Sequence, residues 1–198
     1  MSATEFEQKV RRRTGGRSAR VRDAVLRATL QALAEHGPDG LTVSEIARRA
    51  GVHATSIQRR WGSRENVFLD TLSTYSREKL PIPNTGSLRG DLIAFAQSMT
   101  GYLTTPLGET VVRTLAATEN DPALAANRAQ FVGARYEAAR VMIDRAADRG
   151  ELRPGTAPQV AVELLVAPLH FRTLLTRQPI DDSFVEQVVD ALLHGLTG

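Results

Sequence analysis

The chain has no cysteine in its 198 residues, so neither a disulfide framework nor a thiolate metal site can hold it together. Aromatic residues make up only 5%, with a single tryptophan, and lysine occurs twice against 23 arginines. Uninterrupted apolar runs are short, LLVA at Leu164 to Ala167 being typical, and fall far below the length that crosses a bilayer. The N-terminus MSATEFEQKVRRR lacks the apolar core of a signal peptide, so a cytoplasmic protein without membrane association is expected. Alternating, β-branched segments bounded by turn residues are missing too, which argues against a sheet.

What is present is charge of uneven distribution. Residues 1–65 carry 13 basic and 7 acidic side chains, a balance of +6, whereas residues 66–198 carry 12 and 15, a balance of −3. That asymmetry points to a polyanion as partner of the N-terminal third, although a bias towards arginine codons produces the same excess.

Helical periodicity covers the rest, and the chain reads as all-α with about nine helices. The first spans Arg20 to His36, with Val21, Val25, Ala28, Ala32 and Leu33 on one stripe, and Gly37 and Pro38 stop it. Thr42 followed by Glu45 has the spacing of a reciprocal capping box, which starts a two-turn helix ending at Gly51. A second short helix runs from near Ala54 to Arg60 or Trp61, and a fourth from Ser63 to Lys79. After the linker PIPNTG, further helices are expected at Ser87–Thr104, Leu107–Glu119, Pro122–Arg149 with a break near Gly133, Pro158–Thr176 and Asp182–Leu196. Asp121 and Ala157 precede prolines placed at the first helical position, where the missing N–H does no harm.

Two helices too short to persist alone must pack on the first. With about 100° per residue, Ile57 and Trp61 share the inward face of the second short helix, and Thr55 and Arg59 point away from it. Ser56 and Gln58 flank that outer face, and Arg60 sits at its edge. A short helix, a tight turn at Gly51 and a second helix with a polar outer face form a helix-turn-helix, whose outer face suits the major groove of double-stranded DNA. An ordinary corner of two solvated helices has the same spacing.

The run GLTVSEIARRAGVHATSIQRRWGSRENVFLDTL, preceded by a helix ending in LAEHG, resembles the DNA-binding domain of the TetR family of bacterial transcriptional regulators over about Val21 to Leu72. The family often has Ser where His53 stands, Gly or Lys near Ala54 and Thr55, Tyr in place of Gln58 and His in place of Arg60. By matching positions, the resemblance makes Thr42, Thr55, Ser56, Gln58, Arg59, Arg60 and Arg64 the expected DNA contacts, Thr42 and Arg64 on phosphate and Gln58 and Arg59 on bases. It divides the chain into a basic arm at 1–19, a helix-turn-helix head at 20–65 and a ligand-binding and dimerisation domain at 66–198. Segments such as GSLRGDL, RGELRP and DDSFVEQVVDALL resemble one actinobacterial-type subgroup. The segment Arg11 to Arg22 reads as a flexible arm for the minor groove or phosphates, or as a solubilising tail.

In the larger domain, Phe95, Met99, Tyr102 and Leu103 form one face, and Phe131, Tyr136, Met142 and His170 are expected to line the opposite walls of a cavity. Each has a simpler reading as plain core. The last two helices carry more apolar surface than a small domain can bury, so Leu165, Leu169, Val185, Val188, Val189 and Leu192 are expected at a homodimer interface, a four-helix bundle that the resemblance also implies. The resemblance further implies a repressor that reads a palindrome as a homodimer, with the fourth helix as lever, released by a small apolar or amphipathic effector that prefers the DNA-incompetent arrangement.

Two rival classes remain to be weighed. His36, His53, His170 and His194 lack metal-ligand spacing, there is no G-x-S-x-G elbow, and neither Lys9 nor Lys79 closes a phosphate loop. No catalytic residue, metal or cofactor is therefore assigned, and an all-α enzyme is the weaker alternative. A helical adaptor for a protein partner is the other, and it differs in showing no salt-dependent DNA affinity.

Overall fold

Apolar stripes at helical spacing dictate the architecture, and all regular structure among the described residues is helical. The computed structural model of the chain describes the backbone of residues 3–37, 40–117 and 122–196, and the side chains of 16, 18–37, 40–116 and 125–196. The chain divides into two units, Met1–Thr71 and Leu72–Gly198. The division falls inside the fourth helix, a little beyond the Glu65 limit read from the sequence.

The first unit holds α1 (Ala3–His36), α2 (Val43–Ala50), α3 (Ala54–Trp61) and the start of α4 (Arg64–Lys79). Val25, Ala32 and Leu33 of α1, Ile46 of α2, Ile57 of α3 and Val67 of α4 meet in one small core. Helix α1 starts much earlier than the expected Arg20, which corrects the reading of 3–19 as irregular backbone. Gly15 and Gly16 suggested a break, but each costs only about 1 kcal/mol relative to alanine, and the Glu, Gln, Arg and Ala around them favour helix. The side chains of Arg11, Arg12, Arg13 and Arg17 lie outside the described residues, as do Pro38 and Asp121. At the end of α1, Gly37 adopts φ +66° and its N–H reaches the Leu33 carbonyl at 2.9 Å.

The second unit contains the end of α4, then α5 (Leu88–Leu103), α6 (Pro106–Ala117), α7 (Pro122–Asp148), α8 (Pro158–Phe171), a wide π turn at Arg172–Thr176 and α9 (Asp182–Leu196). Helix α5 is central, packing against α6, α7, α8 and α9. Its start is fixed twice over: Ser87 Oγ accepts the Gly90 N–H at 3.1 Å, and Glu151, beyond α7, accepts the otherwise orphaned Leu88 N–H at 2.7 Å. Gly108 is needed for close approach, since a Cβ there would lie 2.0 Å from the Tyr102 carbonyl oxygen. Helix α7 runs through Gly133 without the expected break, the space beside that glycine being open. Pro168 sits inside α8, and the Arg177 N–H reaches back five residues to the Arg172 carbonyl at 2.8 Å to close the π turn.

Most of the residues expected at a dimer interface lie inside the chain's own core. Leu165, Leu169, Val185, Val189 and Leu192 are buried within the single chain, and only Val188 is partly exposed. The apolar side chains left outside are Val160 (50% exposed), Leu164 (54%), Phe171 (54%) and Leu175 (70%). At about 100° per residue, Val160, Leu164 and Phe171 fall on one side of α8, whereas Ala161, Leu165 and Leu169 face the chain's own core. The helix is apolar over most of its circumference, with Gln159, Glu163 and His170 on the strip between these two sides.

Candidate nucleic-acid interface and effector cavity

The head is assembled from short-range contacts. Thr42 caps α2, its Oγ accepting the Glu45 N–H at 3.1 Å. The reciprocal half of the capping box is absent, because the Glu45 carboxylate instead accepts from Arg48 (Nη2, 2.7 Å) and Arg49 (Nε, 2.5 Å). These two guanidiniums pull the Glu45 carboxyl down to about 2, so it stays ionised. Gly51 takes the left-handed conformation at φ +64°, and the Val52 N–H bonds the Ala47 carbonyl at 3.0 Å. This turn is tight enough for α3 to begin three residues later.

Helix α3 is held from inside. Ile57 and Trp61 are buried, the Trp61 Nε1–H donates to Asp70 Oδ2 at 3.0 Å, and Asn66 Nδ2 donates to the Trp61 carbonyl at 2.7 Å. Asp70 also accepts from Arg22 Nε at 3.0 Å, so one carboxylate ties α1, α3 and α4 together. Burial works to raise the Asp70 carboxyl, but donation from Arg22 and Trp61 outweighs it and holds the group below the usual carboxylate range.

Facing outward are Thr55, Gln58 and Arg59, all exposed, with Ser56 partly so. Arg59 has no hydrogen-bond or ion-pair partner among the described residues, and so presents its whole guanidinium fork. Gln58 is engaged with the Gly62 carbonyl and must let go before pairing with anything else. Arg60 donates to Ser18 Oγ at 2.7 Å and lies 5.2 Å from the Trp61 ring centre, which joins α3 to the basic part of α1. Arg64 turns back to the Leu41 carbonyl (3.3 Å) and to Glu65 (3.0 Å), and is less available than Arg59.

The second unit contains a cavity of about 130 Å³. Phe95, Met99, Tyr102, Phe131, Tyr136 and His170 line it, so six of the eight residues expected at its walls are brought together. Leu103 and Met142 are the exceptions: both are buried in the core and do not line the cavity. Burial pushes the Tyr102 phenol up, with Tyr75 beside it (ring centres 5.8 Å apart) adding to the effect. Burial lowers His170, partly offset by a hydrogen bond with the Val166 backbone, so the neutral imidazole is favoured.

Two polar members were missed from the sequence. Arg135 follows Phe131 by one turn on the stripe continued by Ala139 and Met142, and Ser76 lies between Leu72 and Leu80 on another. A polar residue inside an apolar stripe is the signal that could have found both. Among the described residues no helix is long and apolar enough to cross a membrane, and no His, Asp or Glu cluster could hold a metal ion.

A head with a buried Ile57/Trp61 face and an exposed polar opposite face, joined to a helical domain with an internal cavity, defines a helix-turn-helix transcriptional regulator. The family model for bacterial regulatory proteins of the tetR family matches residues 25–71, and that for the Tetracyclin repressor-like C-terminal domain matches residues 82–192. The HTH-type transcriptional regulator AqdR of Rhodococcus erythropolis is 33% identical over 90% of this chain and 86% of its own. YdeS of Bacillus subtilis (strain 168), an uncharacterised HTH-type transcriptional regulator, is 30% identical over 87% of this chain and 88% of its own. The crystal structure of the TetR family regulator SCO0332 superposes with a TM-score of 0.77 at 32% identity, covering 90% of this chain and 99% of that one. The chain belongs to the TetR family of bacterial transcriptional regulators. It is therefore a DNA-binding regulator and not an enzyme.

Proposed function

We propose that the chain is a cytoplasmic repressor that binds a palindromic operator as a homodimer and is released by a small effector held in the cavity of its second unit. The observation that carries this reading is the opposition on α3: Ile57 and Trp61 are spent on the core, which leaves Thr55, Gln58 and Arg59 exposed together on a rigid two-turn helix. Gln and Arg are the side chains whose forks match adenine and guanine edges in the major groove. In this reading Thr42 and Arg64, at the starts of α2 and α4, meet phosphates, and Ser56 and Arg60 meet the flanks of the groove.

Dimerisation is supported by the outer stripe Val160, Leu164, Phe171 and Leu175, which in a lone chain leaves large apolar groups in water. Pairing two copies through α8 and α9 covers them and brings two recognition helices to one duplex. Effector control is supported by the aromatic and Met-lined cavity; a ligand that fits only the DNA-incompetent arrangement shifts the equilibrium, about 1.4 kcal/mol of difference giving a tenfold change. Helix α4 contains residues of both units and is the lever in this reading.

A footprint on the DNA flanking the protein's own gene tests it. Protection of an inverted repeat, lost steeply as salt rises, is expected. Binding without sequence preference, or none at all, overturns it in favour of an adaptor for a protein partner.

A further inference from the structure

The cavity carries a charge that no acidic group among the described residues answers. Arg135 lines it, and its guanidinium donates from Nη2 to the Leu80 carbonyl at 3.1 Å, one use of five N–H donors. No carboxylate pairs with it among the described residues. Its ionisable neighbours are another cation, Arg77, and the Tyr102 phenol, which burial keeps neutral, and partial burial works against the charge of Arg135. Ser76 lines the same cavity with its Oγ buried and without a hydrogen-bond partner, although a helical serine ordinarily bonds a carbonyl one turn back. Glu163 acts on Tyr136 of the lining, and receives a hydrogen bond from Gln159 at 2.9 Å.

A half-buried guanidinium without a counter-ion among the described residues and a buried hydroxyl without a partner are both costly, and one oxyanion answers both. A phosphate is disfavoured, since a dianion needs more donors than a single arginine and a hydroxyl in otherwise apolar walls. A planar carboxylate matches the fork of Arg135. The remaining space is bounded by Phe95, Phe131, Tyr102 and Met99, and a cavity of about 130 Å³ is on the order of the volume that accepts a benzene-sized ring.

We infer that the effector is a small aryl carboxylate, its ring among Phe95, Phe131 and Met99 and its carboxylate on Arg135 and Ser76 Oγ. This inference rests on the cavity being the effector site, and it assigns Arg135 and Ser76 as the residues that choose charged over neutral ligands.

Calorimetric titration of the full-length protein with benzoate, phenylacetate, uncharged phenylacetamide and toluene tests it. The carboxylates bind at least about tenfold more tightly than the amide, Arg135→Gln removes that preference without weakening the amide, and Arg135→Lys keeps part of it. Ser76→Ala weakens the carboxylates alone; it leaves the Arg135 bond to Leu80 intact, so it carries the test if Arg135→Gln fails to fold by circular dichroism. Equal or tighter binding of amide or toluene, or an unchanged preference in the Arg135→Gln and Ser76→Ala proteins, overturns the carboxylate assignment and leaves the cavity as an effector site. Failure of all four compounds to bind removes both.

Discussion

The indole N–H of Trp61 donates to the carboxylate of Asp70 at 3.0 Å, and this bond fixes the end of the recognition helix to the helix that follows it. Because Arg22 grips the same carboxylate, α3 is oriented by α1 and α4 at once. Replacing Trp61 with Phe keeps the ring buried but removes the donor. We expect a loss of about 1 kcal/mol in head stability by chemical denaturation, and weaker binding to every DNA sequence alike. A variant as stable and as tight as the native protein would show the bond to be dispensable.

Asp70→Asn goes further, since it removes the charge that Arg22 and Trp61 address. The native carboxyl lies below its ordinary value, so Asp70 stabilises the fold fully above the unfolded-state pKa of about 3.9 and progressively less as pH falls through its lower folded-state value. The stability gap between the native protein and Asp70→Asn, measured by denaturant titration, should be constant from neutral pH down to about pH 5 and narrow towards pH 3. A gap independent of pH would place the effect in shape and not in charge.

Arg59→Ala removes the exposed fork without touching the core. A cost of about 1 to 3 kcal/mol on the preferred operator is expected, with relaxed preference at one base pair in a binding-site selection experiment. Equal loss on all sequences would reassign Arg59 to a phosphate.

Phe171→Glu and Leu165→Ala separate the two sides of α8. The first places a charge in the exposed stripe, and analytical ultracentrifugation should find monomers with nearly native helicity. The second opens a void in the chain's own core at a cost of about 2 to 5 kcal/mol, with assembly retained while the protein remains folded. The opposite pattern would return the interface to Leu165.

The head was almost wholly legible because its signals are local. Thr42 as a cap, Gly51 as a left-handed stop and the four-residue spacing of Ile57 and Trp61 each act within a turn or two of chain. Helix α8 defeated the same approach. Its polar residues, Gln159, Glu163 and His170, form a strip between two apolar sides and do not say which leucines meet the chain's own core; the most regular ones, read as interface, are buried there. The cavity was legible in its aromatic and Met residues, but Arg135 was passed over because an arginine is ordinarily read as solvated. Burial, a property of all the packed helices together, is what changes its meaning.

Pro168 has no N–H to give, so the carbonyl of Leu164 lacks its usual donor one turn on, in the midst of the exposed leucine and phenylalanine stripe. If that oxygen faces the surface that covers the stripe, a hydroxyl, an amide or a trapped water has to answer it at that single point. Greasiness alone would let two surfaces slide past each other; a lone acceptor acts as a registration pin, setting where along the helix the match must stop.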